Sequence, residues 1–435
     1  MKGRYIWISI PLALALLLLL NLTVRIPVGS YQKITEVELP YYRAKISSKG
    51  SGTSVVVLNL PEGNYTVISG EGEALPSYYN GTHLLVRAPL ALGVNSLLIF
   101  HSPSNYDAHD IFDFFDDFSS GNLGSKWRTL IDEESVRPSE GYLEISGGER
   151  WDKVESHYLE MKPPYIVETN LSCQADFCWI CLTGNDVQLK DELGWDIPEG
   201  ICAGMSTLPP SNPWGGIGIK VIGKKGGIGQ VLRHENAAGV APIGTGRYVR
   251  MTIVADQDVI TLSCCGDTVT MQGYEAPNRF KLKLLVARNG TLTLDWIRVY
   301  RYINHDVQIE KSKGVLSLES VENEIRVLEV TDIPGVVELN ISCEGYGEQS
   351  LPPKKGEAVS FPLEEGVHEC LTYFASGNKS LGAVKRVKLV IPSLIDKLLP
   401  TIVASASVLV ASLGYLLYLK LSRYRQSKEL EKILE

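Results

Sequence analysis

From Asp191 to Glu199 the chain reads Asp-Glu-Leu-Gly-Trp-Asp-Ile-Pro-Glu, four carboxylates within nine residues. Two carboxylates about 5 Å apart can cleave a glycosidic bond with retention, one as acid and the other as nucleophile. Pro198 argues against a regular inner strand here, because proline has no amide hydrogen to give a ladder. An acidic surface loop is the simpler outcome. Trp195 and Trp214 stand in Gly/Pro-rich stretches and Trp151 follows a Gly-Gly turn. Each indole would either stack on a sugar ring or pack into a core. Trp151, Trp195, Trp214, Asp196 and Glu199 are the candidate ligand-binding residues, and no residue is assigned a catalytic role.

Other chemical spacings dissolve on inspection. Cys178-Trp-Ile-Cys181 has the C-x-x-C form of zinc and dithiol sites, but its context is strand-like. Residues three apart in a strand face opposite sides and cannot grip one ion. Gly218 to Lys225 nearly matches a phosphate-binding loop, yet Lys225 replaces the magnesium-binding Ser/Thr and the interior alternates like a strand. The seven histidines show no HExxH spacing, and no GxSxG occurs. No metal site and no cofactor is expected.

The elements that must hold these residues are framed by two apolar runs. Tyr5 to Val24 and Leu398 to Leu419 carry no charged residue, and each is long enough to cross about 30 Å of hydrocarbon as a helix. Lys2 and Arg4 precede the first; Lys420, Arg423, Arg425, Lys428 and Lys432 follow the second. Positive flanks place both ends on the cytoplasmic side. The first run is either a retained anchor or a signal peptide cleaved near Val28-Gly29-Ser30. In both cases the stretch from about Ser30 to Ser393 is exported. Of the net charge of −8, the basic flanks leave about −12 on that stretch, which disfavours nucleic acid and anionic headgroups as partners.

The exported part reads as all-β. Alternating runs at Ser54 to Leu60, His83 to Arg87, Phe280 to Ala287 and Thr291 to Tyr300 are separated by Gly, Pro and Asn clusters. Asn80-Gly81 and Asn289-Gly290 carry the two-residue type I′ hairpin pattern. Six Asn-x-Ser/Thr sequons lie in this region, at Asn64, Asn80, Asn170, Asn289, Asn340 and Asn378. The strand period puts Asn170 and Asn340 on solvated faces and Cys173 and Cys343 on core faces. An even set of eight cysteines in an exported segment predicts disulfides. Cys343 pairs most simply with Cys370, and Cys173 faces Cys178 across a short turn. Adjacent Cys264 and Cys265 are expected to reach elsewhere, towards Cys181 and Cys202.

Asn95 to Phe118, ending Phe-Phe-Asp-Asp-Phe, resembles the end of an uncharacterised domain family of archaeal and bacterial surface proteins, as does LPSYYNGTHLLVRAPLALG upstream. The family's Tyr-Tyr-Gly-Asn-Pro is replaced here by Phe100-His-Ser-Pro103. Downstream, DDFSSGNLGSKWRTL, PYIVETNL and LTLDWIRVYRY resemble the opening, middle and closing strands of a concanavalin A-like lectin/glucanase jelly roll. Within that fold, laminarinase-like enzymes carry Glu-x-Asp-x-x-Glu on a strand. Asp196 and Glu199 match its last two positions, while Gly194 occupies the nucleophile's place, so no glycosyl-enzyme is expected. Residues 303–392, with about seven short strands, resemble an immunoglobulin-like sandwich, although His368 stands where its corner tyrosine belongs.

The expected organisation is an anchor or signal peptide (1–24), an N-terminal β domain (25–110), a concanavalin A-like β-sandwich (111–302), an immunoglobulin-like stalk (303–392), a transmembrane helix (398–419) and a basic tail (420–435). The resemblance implies a cell-surface glycoprotein whose lectin-like domain binds envelope glycans or surface-layer protein. Its rivals are an envelope spacer without ligand and, further off, a glycoside hydrolase. Expressed in a glycosylating host, the six exported sequons should carry glycan while Asn21, inside the first apolar run, stays bare. Peptide mass spectrometry showing the six unmodified would count against this topology.

Overall fold

The computed structural model describes residues 33–104, 106–130, 135–147, 152–192, 194, 196–237, 243–287, 290–382 and 384–434. The described residues form two compact units, one from Tyr42 to Glu310, the other from Lys33 to Tyr41 together with Lys311 onward. Strands Lys33–Ser48 and His305–Val321 each contribute to both.

In the first unit a β-sandwich is built from two antiparallel sheets. The back sheet runs in the order Val136–Ser139, Tyr142–Ser146, Thr291–Arg301, Tyr165–Gln174, Val249–Asp256, Val259–Cys264, Asp267–Gln272, with Phe114–Asp116 also on Thr291–Arg301. The front sheet runs Ile228–Ala237, Ile217–Lys225, Gly200–Ser206, Phe177–Thr183, Arg279–Val286, Asp152–Ser156, Trp127–Thr129. The expected strands are present at 52–58, 84–90, 279–286 and 291–301. Alternation explains the layering. Val167, Leu171, Ile253, Leu262 and Leu292 of the back sheet meet Val154, Ile180, Leu182, Ile219 and Leu284 of the front sheet in one buried cluster. Each such side chain stabilises the fold by about 1.5–3 kcal/mol.

The outer face of the back sheet is covered too. Ile166 and Tyr300 pack with Ile111, Phe112, Val55 and Leu85, the last two from strands Gly52–Leu58 and Leu84–Leu90 of the N-terminal sheet. Ala108–Ile111 is a one-turn helix closed by a capping box, in which Asp107 accepts from His109 and Asp110 accepts from the Asp107 amide. Beside it, buried Glu168 holds Arg298 at 2.6 Å and Arg250 at 2.5 Å. The Arg298 guanidinium also lies over the rings of Phe112 and Trp296. Burial pushes the Glu168 carboxyl upward, but Arg298 and Arg250 outweigh it and hold the carboxyl below its ordinary value.

Asn80-Gly81 differs from expectation. Tyr79 pairs with Leu84, so the loop has four residues, and only Gly81 takes positive φ. The Asn80 side-chain oxygen Oδ1 accepts from the Thr82 and His83 backbone amides, closing the turn without a type I′ geometry. Asn289 lies outside the described residues.

The second unit contains His305–Val321 with Glu324–Thr331 and Ala358–Ser360, and a sheet of Gly347–Leu351, Glu338–Cys343, Gly366–Ser376 and Lys385–Ile391. Cys343 and Cys370 are register partners on adjacent strands and are disulfide-bonded. That bridge lies within one sheet, whereas an immunoglobulin domain joins its two sheets.

Leu394–Leu434 is a single helix. Its 28-residue stretch Thr401–Lys428 is long and apolar enough to cross a membrane. Ser405, Ser407 and Ser412 return their hydroxyls to carbonyls one turn back, which satisfies them among the exposed Leu409, Val410, Leu413 and Leu416. The basic tail, marginal as an isolated helix, continues this one, because extending an existing helix avoids the cost of nucleation.

Glu168→Gln leaves the buried Arg298 guanidinium without its countercharge and should cost about 3–5 kcal/mol. Chemical denaturation of the full chain at pH 7 measures it, and a loss below about 1 kcal/mol would show the pair to be dispensable.

Candidate functional site

Register alone places a chemically unusual row on the outer face of the front sheet. Arg128 faces Glu155, Glu155 faces Lys283, Lys283 faces Cys181, Cys181 faces Cys202, Cys202 faces Lys220 and Lys220 faces His234. Partners across a ladder share a face. The row therefore crosses seven of the sheet's eight strands, with a disulfide between Cys181 and Cys202 at its middle. The neighbouring row carries Trp179, Gly204, Gly218 and Asn236.

One end of the row is an ion cluster. Glu155 is 2% exposed and is held by Lys281 at 3.0 Å, Lys283 at 3.5 Å and Arg128. Lys281 also binds Asp186 at 2.5 Å and lies with Arg279 over the Tyr158 ring. Burial raises the Glu155 carboxyl, yet Lys281 and Lys283 together bring it below its ordinary value. The Lys281 hydrogen bond likewise lowers Asp186. One ammonium thus bridges two carboxylates, 3.0 Å from Glu155 and 2.5 Å from Asp186, a close pair of the kind that a retaining glycosidase needs. Neither carboxyl keeps a proton near neutrality, so the general acid such a pair requires is missing.

The other end is apolar in its surroundings. Lys220 is fully buried and donates to Gly215 O at 3.1 Å and to Asn236 Oδ1. Its ammonium lies 4.8 Å from the centre of the Trp179 ring. No carboxylate faces it among its described partners, and burial pushes its pKa down to about 7. Trp179 is 1% exposed and its Nε1 has no hydrogen-bond partner among the described residues. Loop 207–216 folds over this end. Asn236 Nδ2 donates to Pro210 O and Asn212 O, and a Cβ on Gly218 would stand 2.3 Å from Asn236 Oδ1. Glycine here leaves the space that Asn236 fills.

The five residues singled out in the sequence are not gathered on this row. Trp151 and Trp195 lie outside the described residues. Trp214 is half-buried against the sandwich core, the packing outcome. Asp196 is in the two-stranded hairpin Gln188–Lys190/Asp196–Pro198 and pairs with Lys190 at 2.6 Å. Glu199 accepts from Asn185 Nδ2 at 3.1 Å. Sequence reasoning overlooked Glu155, Trp179, Lys220, Lys281 and Lys283. The alternation Arg279-Phe-Lys281-Leu-Lys283-Leu was the visible clue, a cationic stripe on one side of a strand whose other side is core.

The C-x-x-C pair divides as its strand setting requires. Cys178 bonds Cys173 on the core side and Cys181 bonds Cys202 on the outer face. The expected reach of Cys264 and Cys265 to Cys181 and Cys202 is corrected: the adjacent cysteines pair with each other. They end a back-sheet strand, and the sandwich core separates them from the front sheet's outer face. Among the sequons, Asn64, Asn80 and Asn378 are exposed, while Asn170 and Asn340 are half-buried. Their amides donate to Asp295 and Glu348 respectively.

No protein-family model and no curated protein sequence matches the chain. Among solved structures it is similar to the Ca2+/mannose-bound exoplasmic/lumenal domain of VIP36, with TM-score 0.35, 10% identity, and coverage of 46% of this chain and 96% of that one. It is also similar to the endo-β-1,3-glucanase of Pyrococcus furiosus, with TM-score 0.30, 15% identity, and coverage of 45% and 95%. A third is the β-porphyranase BpGH16B of Bacteroides plebeius, a human gut bacterium, with TM-score 0.31, 12% identity, and coverage of 45% and 90%. No ligand or activity is carried over from these likenesses.

The depressed Lys220 pKa ties stability to pH. Below pH 7 the ammonium is protonated in both states, and its burial destabilises the fold fully. From about pH 7 to 10.5 the unfolded chain holds a proton that the folded chain has released. Stability should therefore rise with pH there, by up to about 1.4 kcal/mol per unit. Lys220→Met should flatten that rise. Parallel stability–pH curves for the two proteins would contradict it.

Proposed function

We propose that the chain is a membrane-anchored surface glycoprotein whose sandwich (111–302) binds neutral glycans of the envelope or a surface layer, displayed between an N-terminal β domain (25–110) and a β-stalk (303–392). The observation carrying this reading is the row on the front sheet. It lines up an indole, two lysines, a glutamate and an amide on a single face, the mixture of aromatic platform and fixed polar groups that orients a small polar ligand. The row reaches solvent at the Arg128 end, where the side chains of Arg128 and Asp186 are 63% and 61% exposed. The Thr401–Lys428 helix supports anchoring, and four disulfide pairs using all eight cysteines support an oxidising compartment.

A spacer without ligand is favoured by a different fact: Trp179, Lys220, Lys283 and Glu155 are all at most 2% exposed. The same groups could then serve only to lock the sheet. Hydrolysis is the weakest reading, because both carboxyls bridged by Lys281 are held ionised.

A glycan array probed with the full chain in phosphatidylcholine nanodiscs separates the three. Glycan binding predicts saturable retention on neutral oligosaccharides, weakened at least tenfold in Arg128→Gln/Asp186→Asn with the near-ultraviolet circular dichroism of the folded chain retained. A spacer predicts no retention above empty nanodiscs. Reducing ends released from β-glucan would revive hydrolysis.

A further inference from the structure

A second concavity lies at one end of the sandwich, beyond the Arg279 end of the cationic stripe, where residues 51–53 meet 160–164, 278–279 and 301–303. It has a volume of about 680 Å³, within the range of about 300–1,000 Å³ typical of small-ligand sites. Its charge is the reverse of the chain's. Lys162, Arg279 and Arg301 line it against the single carboxylate of Glu160, in a protein of net charge −8. Arg279 is engaged, 3.6 Å from Glu160 and over the Tyr158 ring. Lys162 and Arg301 are exposed and have no ion-pair partner among the described residues.

The walls are held by hydrogen bonds from backbone amides, two to carbonyls and two to the side chains of Ser54 and Asp113. Tyr302 N donates to Pro164 O at 3.1 Å, Ile303 N to Ser54 Oγ at 3.1 Å and Lys49 N to Asn304 O at 3.0 Å. Arg301 N donates to Asp113 at 3.1 Å, fixing the root of that side chain. Such rigidity reduces the ordering cost of binding. Around the cations stand groups suited to hydroxyl-rich ligands: Thr53, Asn278 and the half-buried ring of Tyr302. Two carboxylates, Asp306 and Asp256, lie near enough to Tyr302 to help raise its hydroxyl pKa, after burial. They stand outside the lining.

We propose that this cleft is a binding site for an anionic oligosaccharide, its carboxylate or sulfate held by Lys162, Arg301 and Arg279 and a sugar ring resting on Tyr302. Paired cations confer affinity on a charged group that the acidic remainder of the surface repels, so the site selects against neutral glycans as well as for anionic ones. Arg279 borders both this cleft and the front-sheet ion cluster through the Tyr158 ring it shares with Lys281, whereas Lys162 and Arg301 belong to the cleft, so substitutions at those two residues test this site by itself.

The test is titration calorimetry on the full chain in phosphatidylcholine nanodiscs with trigalacturonate, its carboxyl-reduced neutral counterpart and a sulfated galactan tetrasaccharide. At least one anionic sugar should bind at least tenfold more tightly than the neutral one, and binding should weaken with salt. The preferred anion identifies the group recognised. Lys162→Gln/Arg301→Gln should weaken that binding at least tenfold and leave the melting temperature unchanged, since both side chains are exposed and unpaired. Arg128→Gln/Asp186→Asn should leave it intact. Equal affinity for the neutral sugar, unaltered binding in Lys162→Gln/Arg301→Gln, or no saturable binding of either anionic sugar would overturn the proposal.

Discussion

Each sheet of the sandwich carries one buried glutamate on its outer face, and the pairing of strands around it is set by the need to neutralise that charge. Glu155 draws Lys281 and Lys283 from the adjacent strand and Arg128 from the other side. Glu168 draws Arg298 and Arg250 from the strands on either side of its own. A carboxylate out of water is tolerated only with close countercharges. A slip of one residue would turn these groups into the hydrocarbon core and bring core residues outward. The apolar pattern alone favours many compact pairings; the two ion clusters reject most of them. Such clusters specify a register more than they add stability.

The consequences differ on the two faces. On the back sheet the cluster is roofed by Ile111, Phe112, Val55 and Leu85, so the charge serves the junction between the N-terminal sheet and the sandwich. On the front sheet the chain covers the row with its own loop at the Lys220 end. There the solution is weaker. Lys220 has hydrogen-bond acceptors but no countercharge, which is why its pKa falls and that of Lys281 does not. A buried cation left partly unsatisfied beside an indole with an orphan N–H is a local conflict of the kind that tends to mark a functional position.

Charge is also partitioned along the chain. The chain is acidic as a whole, with a net charge of −8, yet basic residues gather in the tail beyond Leu419 and in the cleft around Arg301. Concentrating positive charge in a cleft on a negative body makes a local field that a distributed pattern would not.

Strand positions, the faces of Cys173 and Cys343, the splitting of Cys178 from Cys181 and the apolar helix were all legible in the sequence, because each follows from a local period of two or 3.6 residues or from run length. The candidate binding residues were less legible. Trp214 looked exposed from its Gly/Pro neighbours but packs on the core, since loop composition does not say which way a loop folds. Asp196 and Glu199 drew notice by crowding in sequence, while Glu155, Lys220 and Lys283, each unremarkable alone, meet only through strand pairing. Glu155 and Lys281 are 126 residues apart, as Arg128 and Glu155 are 27 apart, and no local pattern encodes such a meeting. By itself the sequence determined which residues face a core and which stretches pair as strands. Only the tertiary structure decided which charges are neighbours, because strand order and register are settled by the sum of many long-range contacts rather than by any segment's own preference.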